Sequence, residues 1–207
     1  MSRAWRSART GWLVTGNAKD AKSQLWELSS DGPASQPIAL SGGGPVQVAA
    51  FSPDGRWLAT GSDAGKEPGL RLWDLKKDDP AQGPIMLRGQ TDGITALAFD
   101  REGRRLASGS RDLTVMLWDL KEEGAQRTPV VLEGHAARVT SLVFSADGHR
   151  LFSGDLNNSA RLWTLALSDL LPLACRTAGR NLTREEWSRY LGDRRYDATC
   201  RDLPETP

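Results

Sequence analysis

The chain has 207 residues, 39% hydrophobic and 26% charged, a composition that folds around a substantial core and excludes a disordered chain. Its 27 lysines and arginines against 26 acids leave a net charge of +1, so no long-range field gathers nucleic acid or anionic lipid. No window reaches the roughly 18 to 20 consecutive apolar residues of a membrane span, and MSRAWRSARTG lacks the apolar run of a signal peptide, so the expectation is a cytoplasmic protein with neither nucleic-acid nor membrane partners.

In chain order, the first patterned segments are WLVTGN (12–17) and QLWEL (24–28). FSPDG (51–55), WLATGS (57–62) and RLWDL (71–75) follow. Next come PIMLRG (84–89), ITALAF (94–99), FDREG (99–103), RRLASGS (104–110) and TVMLWDL (114–120). A last group holds Gly134-His135, FSADG (144–148), RLFSGD (150–155) and RLWTL (161–165). Trp26, Trp73, Trp118 and Trp163 are spaced 47, 45 and 45 residues apart, and three different phrases share that period, which identifies an internal repeat. The apolar runs are short, rich in Val, Leu, Ile, Phe and Trp, and separated by turn signals such as Pro53-Asp54-Gly55, so each unit reads as four short strands, PIMLRG being the first of the third unit. Ile94, Ala96 and Ala98 oppose Leu97 and Phe99, so such a strand is apolar on both faces and needs a sheet stacked between two others, as in a β-propeller.

Aligning Trp12 on Trp57 puts Arg6 where Phe51 belongs. The innermost strand of the first unit is therefore expected to be absent or degraded, with residues 1–11 irregular, and the last unit ends after its third strand. From Ser168 the spacing turns helical. Leu170, Leu173, Ala174 and Ala178 share one face and predict a helix over about 170–178, with Pro172 in its first turn. In LTREEW the spacing predicts a second helix, capped by Thr183 with Glu186 bonding back, with Trp187, Tyr190 and Leu191 on one face and Gly192 ending it. Seven arginines of this tail are matched by seven acids, which favours a solvated surface over an RNA site.

Ser108 and Asp112, with His135 or His149, are the residue types of a nucleophilic triad. Both, however, recur as landmarks of a structural repeat, so no catalytic residue is expected. GSDAGK (61–66) has the wrong spacing for a phosphate loop and Glu67 where a magnesium-binding hydroxyl would stand. Two histidines and two cysteines at no recognised spacing supply no metal site, and no cofactor is implied. Cys175 and Cys200 flank the second helix and can approach one another when the tail folds back, with free thiols the default in a chain without a secretory signal and a disulfide or a metal site the alternatives.

The unit running Gly134-His135, FSADG, SGD, RLWTL resembles the WD40 repeat over roughly 12–165. The resemblance implies an all-β fold, a partial (open) WD40 β-propeller of about three and a half four-stranded blades over 12–166, followed by a short two-helix tail over 167–207. It also implies a structural tetrad of His, Ser or Thr, Asp and Trp in each blade. Carried over, the last unit offers His135, Ser153, Asn157 and Trp163, and the unit before it Gln90, Ser108, Asp112 and Trp118, neither set complete. An amide in place of His or Asp still donates and accepts but loses the charge-assisted bond. Family propellers bind proteins or peptides where strand entrances and turns converge, which here implies Gln47, Thr95, Arg111, Arg138, Thr140 and Leu156, with Arg111 and Arg138 foremost. LACRTAGRNLTREEWSRYL, with YDATC and DLP, resembles a tail of bacterial multi-repeat WD40 proteins that carry kinase, protease-like or signalling NTPase domains upstream. The expectation is a non-catalytic scaffold for a protein or peptide partner, part of a larger bacterial signalling or sensor protein. The alternatives are a regulatory domain of an upstream kinase or NTPase, and a self-associating propeller whose partner is a second copy or further blades of the same protein.

Overall fold

The computed structural model describes residues 2–6, 11–17, 22–30, 32–33, 36–40, 46–62, 69–81, 83–121, 128–192, 194–196, 198, 200 and 203; most of the GSDAGK turn lies outside them. Two compact units divide the chain, Met1–Leu162 and Trp163–Pro207.

The first unit is built from antiparallel sheets taken in chain order. One contains β1 (Ser2–Arg6), β2 (Trp12–Asn17), β3 (Lys22–Ser29), β4 (Gly32–Pro33) and β5 (Ile38–Leu40). The next runs β6 (Val46–Phe51), β7 (Trp57–Ser62), β8 (Leu70–Asp74), β9 (Ile85–Leu87). The third runs β10 (Ile94–Phe99), β11 (Arg105–Ser110), β12 (Val115–Asp119), β13 (Val130–Leu132), and the last β14 (Val139–Phe144), β15 (Arg150–Asp155), β16 (Ala160–Thr164). The sheets form an open, propeller-like series of antiparallel blades, and two helices follow in the chain.

The blades differ from the sequence reading in two ways. β1 is present: Arg6 pairs with Leu13 and Trp5 with Val14, so the first blade has its innermost strand. Strand pairing needs only backbone N–H and C=O groups, which an arginine supplies as well as a phenylalanine. PIMLRG also does not open the third blade, since Ile85–Leu87 pairs with β8 and closes the second one. The sequence unit is thus offset by one strand from the blade, which links consecutive blades covalently.

Turn chemistry fixes the hairpins between the first two strands of a blade. In FSPDG the amide of Trp57 donates to Ser52 Oγ at 2.8 Å and that of Arg56 to Asp54 Oδ1 at 3.1 Å. FSADG repeats this with Arg150 on Ser145 and His149 on Asp147. In FDREG a single carboxylate, Asp100, takes the amides of both Arg104 and Arg105. Gly55, Gly103 and Gly148 all sit near φ +70°, a conformation costly for other residues.

The core lies between blades. Val14, Leu25, Leu58, Trp73 and Leu75 form the joint of the first two. Trp57, Leu70, Leu72, Leu106, Met116 and Trp118 form that of the second and third. In each joint a leucine and tryptophan of the later blade meet apolar residues of the earlier one, Val14 and Leu25 in the first and Trp57, Leu70 and Leu72 in the second. Truncating such a tryptophan to alanine typically costs about 3 to 5 kcal/mol. β10 lies against β6 and β7 on one side and β14 on the other.

In the second unit α1 spans Leu167–Ala178 and α2 Arg184–Leu191. α1 begins earlier than expected, so Pro172 falls in its second turn, where its missing N–H leaves one carbonyl without the usual donor. α2 carries the full capping box: Glu186 N donates to Thr183 Oγ1 at 3.1 Å and Thr183 N to Glu186 Oε2 at 2.9 Å. Cys175 and Cys200 are joined in a disulfide with Cα atoms 5.5 Å apart, which corrects the free-thiol expectation. The fold-back is held by buried Asn181, whose Nδ2 donates to the carbonyls of Cys200 and Leu203 while its Oδ1 accepts from Cys200 N.

Candidate functional site

The residues singled out from the sequence fall into two sets, one buried inside blades and one at the strand entrances. In the third blade Ser108 is fully buried. Its hydroxyl donates to Gln90 Oε1 at 2.8 Å and accepts from Trp118 Nε1 at 3.0 Å, while Gln90 Nε2 donates to Ser108 O at 3.1 Å. The amide thus accepts from the serine hydroxyl and donates to the serine carbonyl. Asp112 does not reach Gln90. Its Oδ2 accepts from Thr91 N at 2.7 Å and its Oδ1 from the amide and hydroxyl of Thr114 at 3.0 and 2.7 Å. Burial pushes the Asp112 carboxyl up, but the hydrogen bonds from Thr114, Thr91 and Ser110 together hold it below the usual range.

The fourth blade corrects one assignment. The carboxylate facing His135 belongs to Asp155, not to position 157: His135 Nδ1 lies 2.9 Å from Asp155 Oδ2, and His135 Nε2 lies 2.6 Å from Ser153 Oγ. A carboxylate only accepts, so Nδ1 carries the proton, and in the neutral ring Nε2 accepts from the serine. Asp155 Oδ1 also accepts from the amides of Asn157 and Ser159 at 2.9 and 3.1 Å. One acid two residues nearer the strand therefore braces both turn and histidine, work that Ser110 and Asp112 divide in the third blade, and Asn157 is left exposed. The His135 bond holds the Asp155 carboxyl below its ordinary range. The signal was in SGD, where the turn's one acid directly follows Ser153-Gly154.

This Ser–His–Asp chain has the connectivity of a hydrolase triad, but the side chains of His135 and Asp155 are 0% and 1% exposed and Ser153 is buried. A nucleophile must meet its substrate, and this one faces a blade interior. The first two blades keep the tryptophan end of the arrangement, Trp26 Nε1 to Thr15 Oγ1 at 3.0 Å and Trp73 Nε1 to Thr60 Oγ1 at 2.8 Å.

At the entrances, the backbone brings one expected pair together, Arg138 and Leu156. Arg111 N donates to Gly93 O, and at the equivalent place one blade on Leu156 N donates to Arg138 O, both at 3.0 Å. Arg138, Thr140 and Leu156 are exposed; Gln47, Thr95 and Arg111 are partly buried. The Thr95 hydroxyl is committed internally, to the carbonyls of Gly109 and of Val139 in the next blade, which makes it a joint residue rather than a free contact. Thr140 donates to Gly154 O at 3.2 Å.

A cleft of about 550 Å³ opens between the outer turns of the third and fourth blades. Arg105 is tied across it to Asp100 Oδ2 at 3.0 Å and Gly148 O at 2.6 Å. Among the described residues no cluster of three or more His, Cys, Asp or Glu is placed to hold a metal, and no helix is long and apolar enough to cross a membrane.

The model of the WD domain, G-beta repeat, matches residues 37–74, 84–119 and 126–164, more than half of the chain. The chain belongs to the WD40 repeat family. Each matched stretch begins near the outer strand of one blade and ends with the third strand of the next, the one-strand offset seen in the pairing. Among solved structures the chain is similar to a computationally designed protein, Ika4, with TM-score 0.58 and 23% identity over 75% of this chain and 86% of that one, a likeness of fold alone. None of the curated proteins matches the chain significantly.

Proposed function

We propose that the chain is a non-catalytic WD40 scaffold that binds a protein or peptide partner at its strand entrances, within a larger cytoplasmic bacterial signalling or sensor protein. The observation that carries this is a division of labour. The groups able to do chemistry, Ser108, Ser153 and His135, are buried and engaged inside blades, whereas the exposed polar and apolar groups Arg138, Thr140 and Leu156 gather at one entrance. A guanidinium beside an exposed leucine suits an acidic peptide with an apolar anchor.

The test is to select acidic peptides from a displayed library on the purified chain and measure binding by fluorescence anisotropy. Arg138→Glu is expected to weaken the selected peptide at least about tenfold, or about 1.4 kcal/mol, with Leu156→Ala also weakening it. Selected peptides that bind both variants like the wild type would overturn the assignment of this surface.

A further inference from the structure

Leu113 is held in a conformation that its own side chain disfavours. Among the described residues only two other than glycine have a positive φ, Leu113 at 73° and Asn158 at 60°. They hold the same place in consecutive blades, three residues on from Ser110 and Asp155. The two turns close alike, Ser110 N donating to Thr114 O and Asp155 N to Ser159 O. Asparagine suits the left-handed region because its short amide bonds locally, whereas a leucine Cβ crowds the neighbouring carbonyl and gains no such bond. The fourth blade thus has the residue this turn favours, and the third has a strained one.

The strain is sustained by bonds that do not use the leucine side chain. Asp112 Oδ1 accepts from the amide and hydroxyl of Thr114, its Oδ2 accepts from Thr91 N, and its own amide donates to Ser110 Oγ. The leucine gives the fold little in return, since it belongs to neither core cluster and remains 38% exposed. A strained residue fixed by its surroundings, with its apolar side chain turned out of the core, marks a recognition site rather than a packing one.

The joint between the third and fourth blades says which surface Leu113 serves. The Thr95 hydroxyl donates to Gly109 O in β11 and to Val139 O in β14, and a Cβ on Gly109 would lie 2.5 Å from Val139. The end of β11 is therefore locked against the start of β14, which brings the 110–114 turn beside the entrance formed by Arg138 and Leu156. The charges there suit an acidic partner: Arg138 is exposed, whereas Asp92 and Asp112 are turned onto backbone amides, of Gly93 and of Thr91 and Thr114. We infer that Leu113 is a second apolar contact for the acidic peptide bound at this entrance, so that the partner carries two apolar residues, one for Leu156 and one for Leu113. Fixing the leucine before the partner arrives spares the ordering of a loop on binding, which offsets the strain. The inference rests on the peptide-binding reading and narrows its partner.

The test takes a fluorescein-labelled acidic peptide selected from the displayed library on the wild-type chain and measures its anisotropy with Leu113→Asn and Leu113→Met. Thermal unfolding of each variant is followed by circular dichroism. Leu113→Asn relieves the turn, so it is expected to raise the melting temperature by about 2 to 4 °C while weakening the peptide at least about tenfold. A purely structural residue would not lose binding as the fold gains stability. Leu113→Met keeps an apolar side chain and is expected to bind within about threefold of the wild type. A Leu113→Asn chain that binds as tightly as the wild type, or whose melting temperature falls, overturns the inference. A peptide lost on Arg138→Glu but kept on Leu113→Asn removes this contact and leaves the entrance reading standing; a library that yields no peptide sensitive to either removes both.

Discussion

Ser108→Ala tests the buried network most directly. Removing this fully buried hydroxyl leaves Trp118 Nε1 without its acceptor and Gln90 Oε1 without its donor, while Gln90 Nε2 keeps the Ser108 carbonyl. Each of the two orphaned buried groups costs about 1 to 3 kcal/mol, so the loss is about 2 to 6 kcal/mol rather than the ~1 kcal/mol net worth of an average hydrogen bond. In urea, with a slope of about 2 kcal/mol per molar, the midpoint followed by circular dichroism falls by about 1 to 3 M. The control is built into the repeat. Ser108→Thr installs the residue of the first two blades, where Thr15 and Thr60 accept from their tryptophans, and should retain most of the stability. A drop under about 0.5 kcal/mol for alanine, the scale of an ordinary surface substitution, or an equal drop for threonine, would refute the reasoning. A chemical activity lost in folded Ser108→Ala would revive catalysis.

Three further outcomes are expected. Asp155→Ala lowers the melting temperature clearly, whereas Asn157→Ala changes it little, because only Asp155 holds His135 and the turn amides; equal effects would restore the assignment at 157. The Glu186 carboxyl is held down to about 2 by its bond to Arg180 and by the Thr183 amide. Since the folded value lies below the unfolded one, this contribution is fully present above the ordinary carboxylate range and is lost as pH falls through about 2; a carboxyl titration by NMR near 4.5 would contradict the cap. Reducing the Cys175–Cys200 disulfide with a dithiol releases a constraint over a separation of 25 residues, worth about 3.5 kcal/mol in the chain-entropy picture. Limited proteolysis should then cut within 179–203 while the blades resist, and unchanged tail protection would show the bond to be dispensable.

What the sequence made legible was what repetition and local chemistry encode. The 45-residue period, the hairpin turns and the Thr183 capping box are short-range patterns, and each is found where the spacing puts it. The losses came from three-dimensional substitution. Aligning turns position by position put the acid at Asn157, but a carboxylate two residues earlier reaches the same imidazole because the strand end and turn lie side by side. Composition hid β1, because backbone pairing does not read side chains. The partner surface was only partly legible: Thr95 has a surface-seeking side chain, yet its hydroxyl faces the neighbouring blade's carbonyl, something no single-blade pattern records.

The fold rests on two separable sets of bonds. Within the first three blades a serine or threonine accepts from the tryptophan, and the group on the serine is Gln90 in the third blade and the His135–Asp155 pair in the fourth. Between blades, the contact depends on glycines that admit the next strand and on Thr95 reaching across. The variable set is closed inside each blade, so losing the charge-assisted pair in the third blade should weaken that blade without opening its joints. The joint residues recur in the fourth blade as Gly154 and Thr140, which bond within that blade, whereas the triad-like residues are buried and engaged inside it.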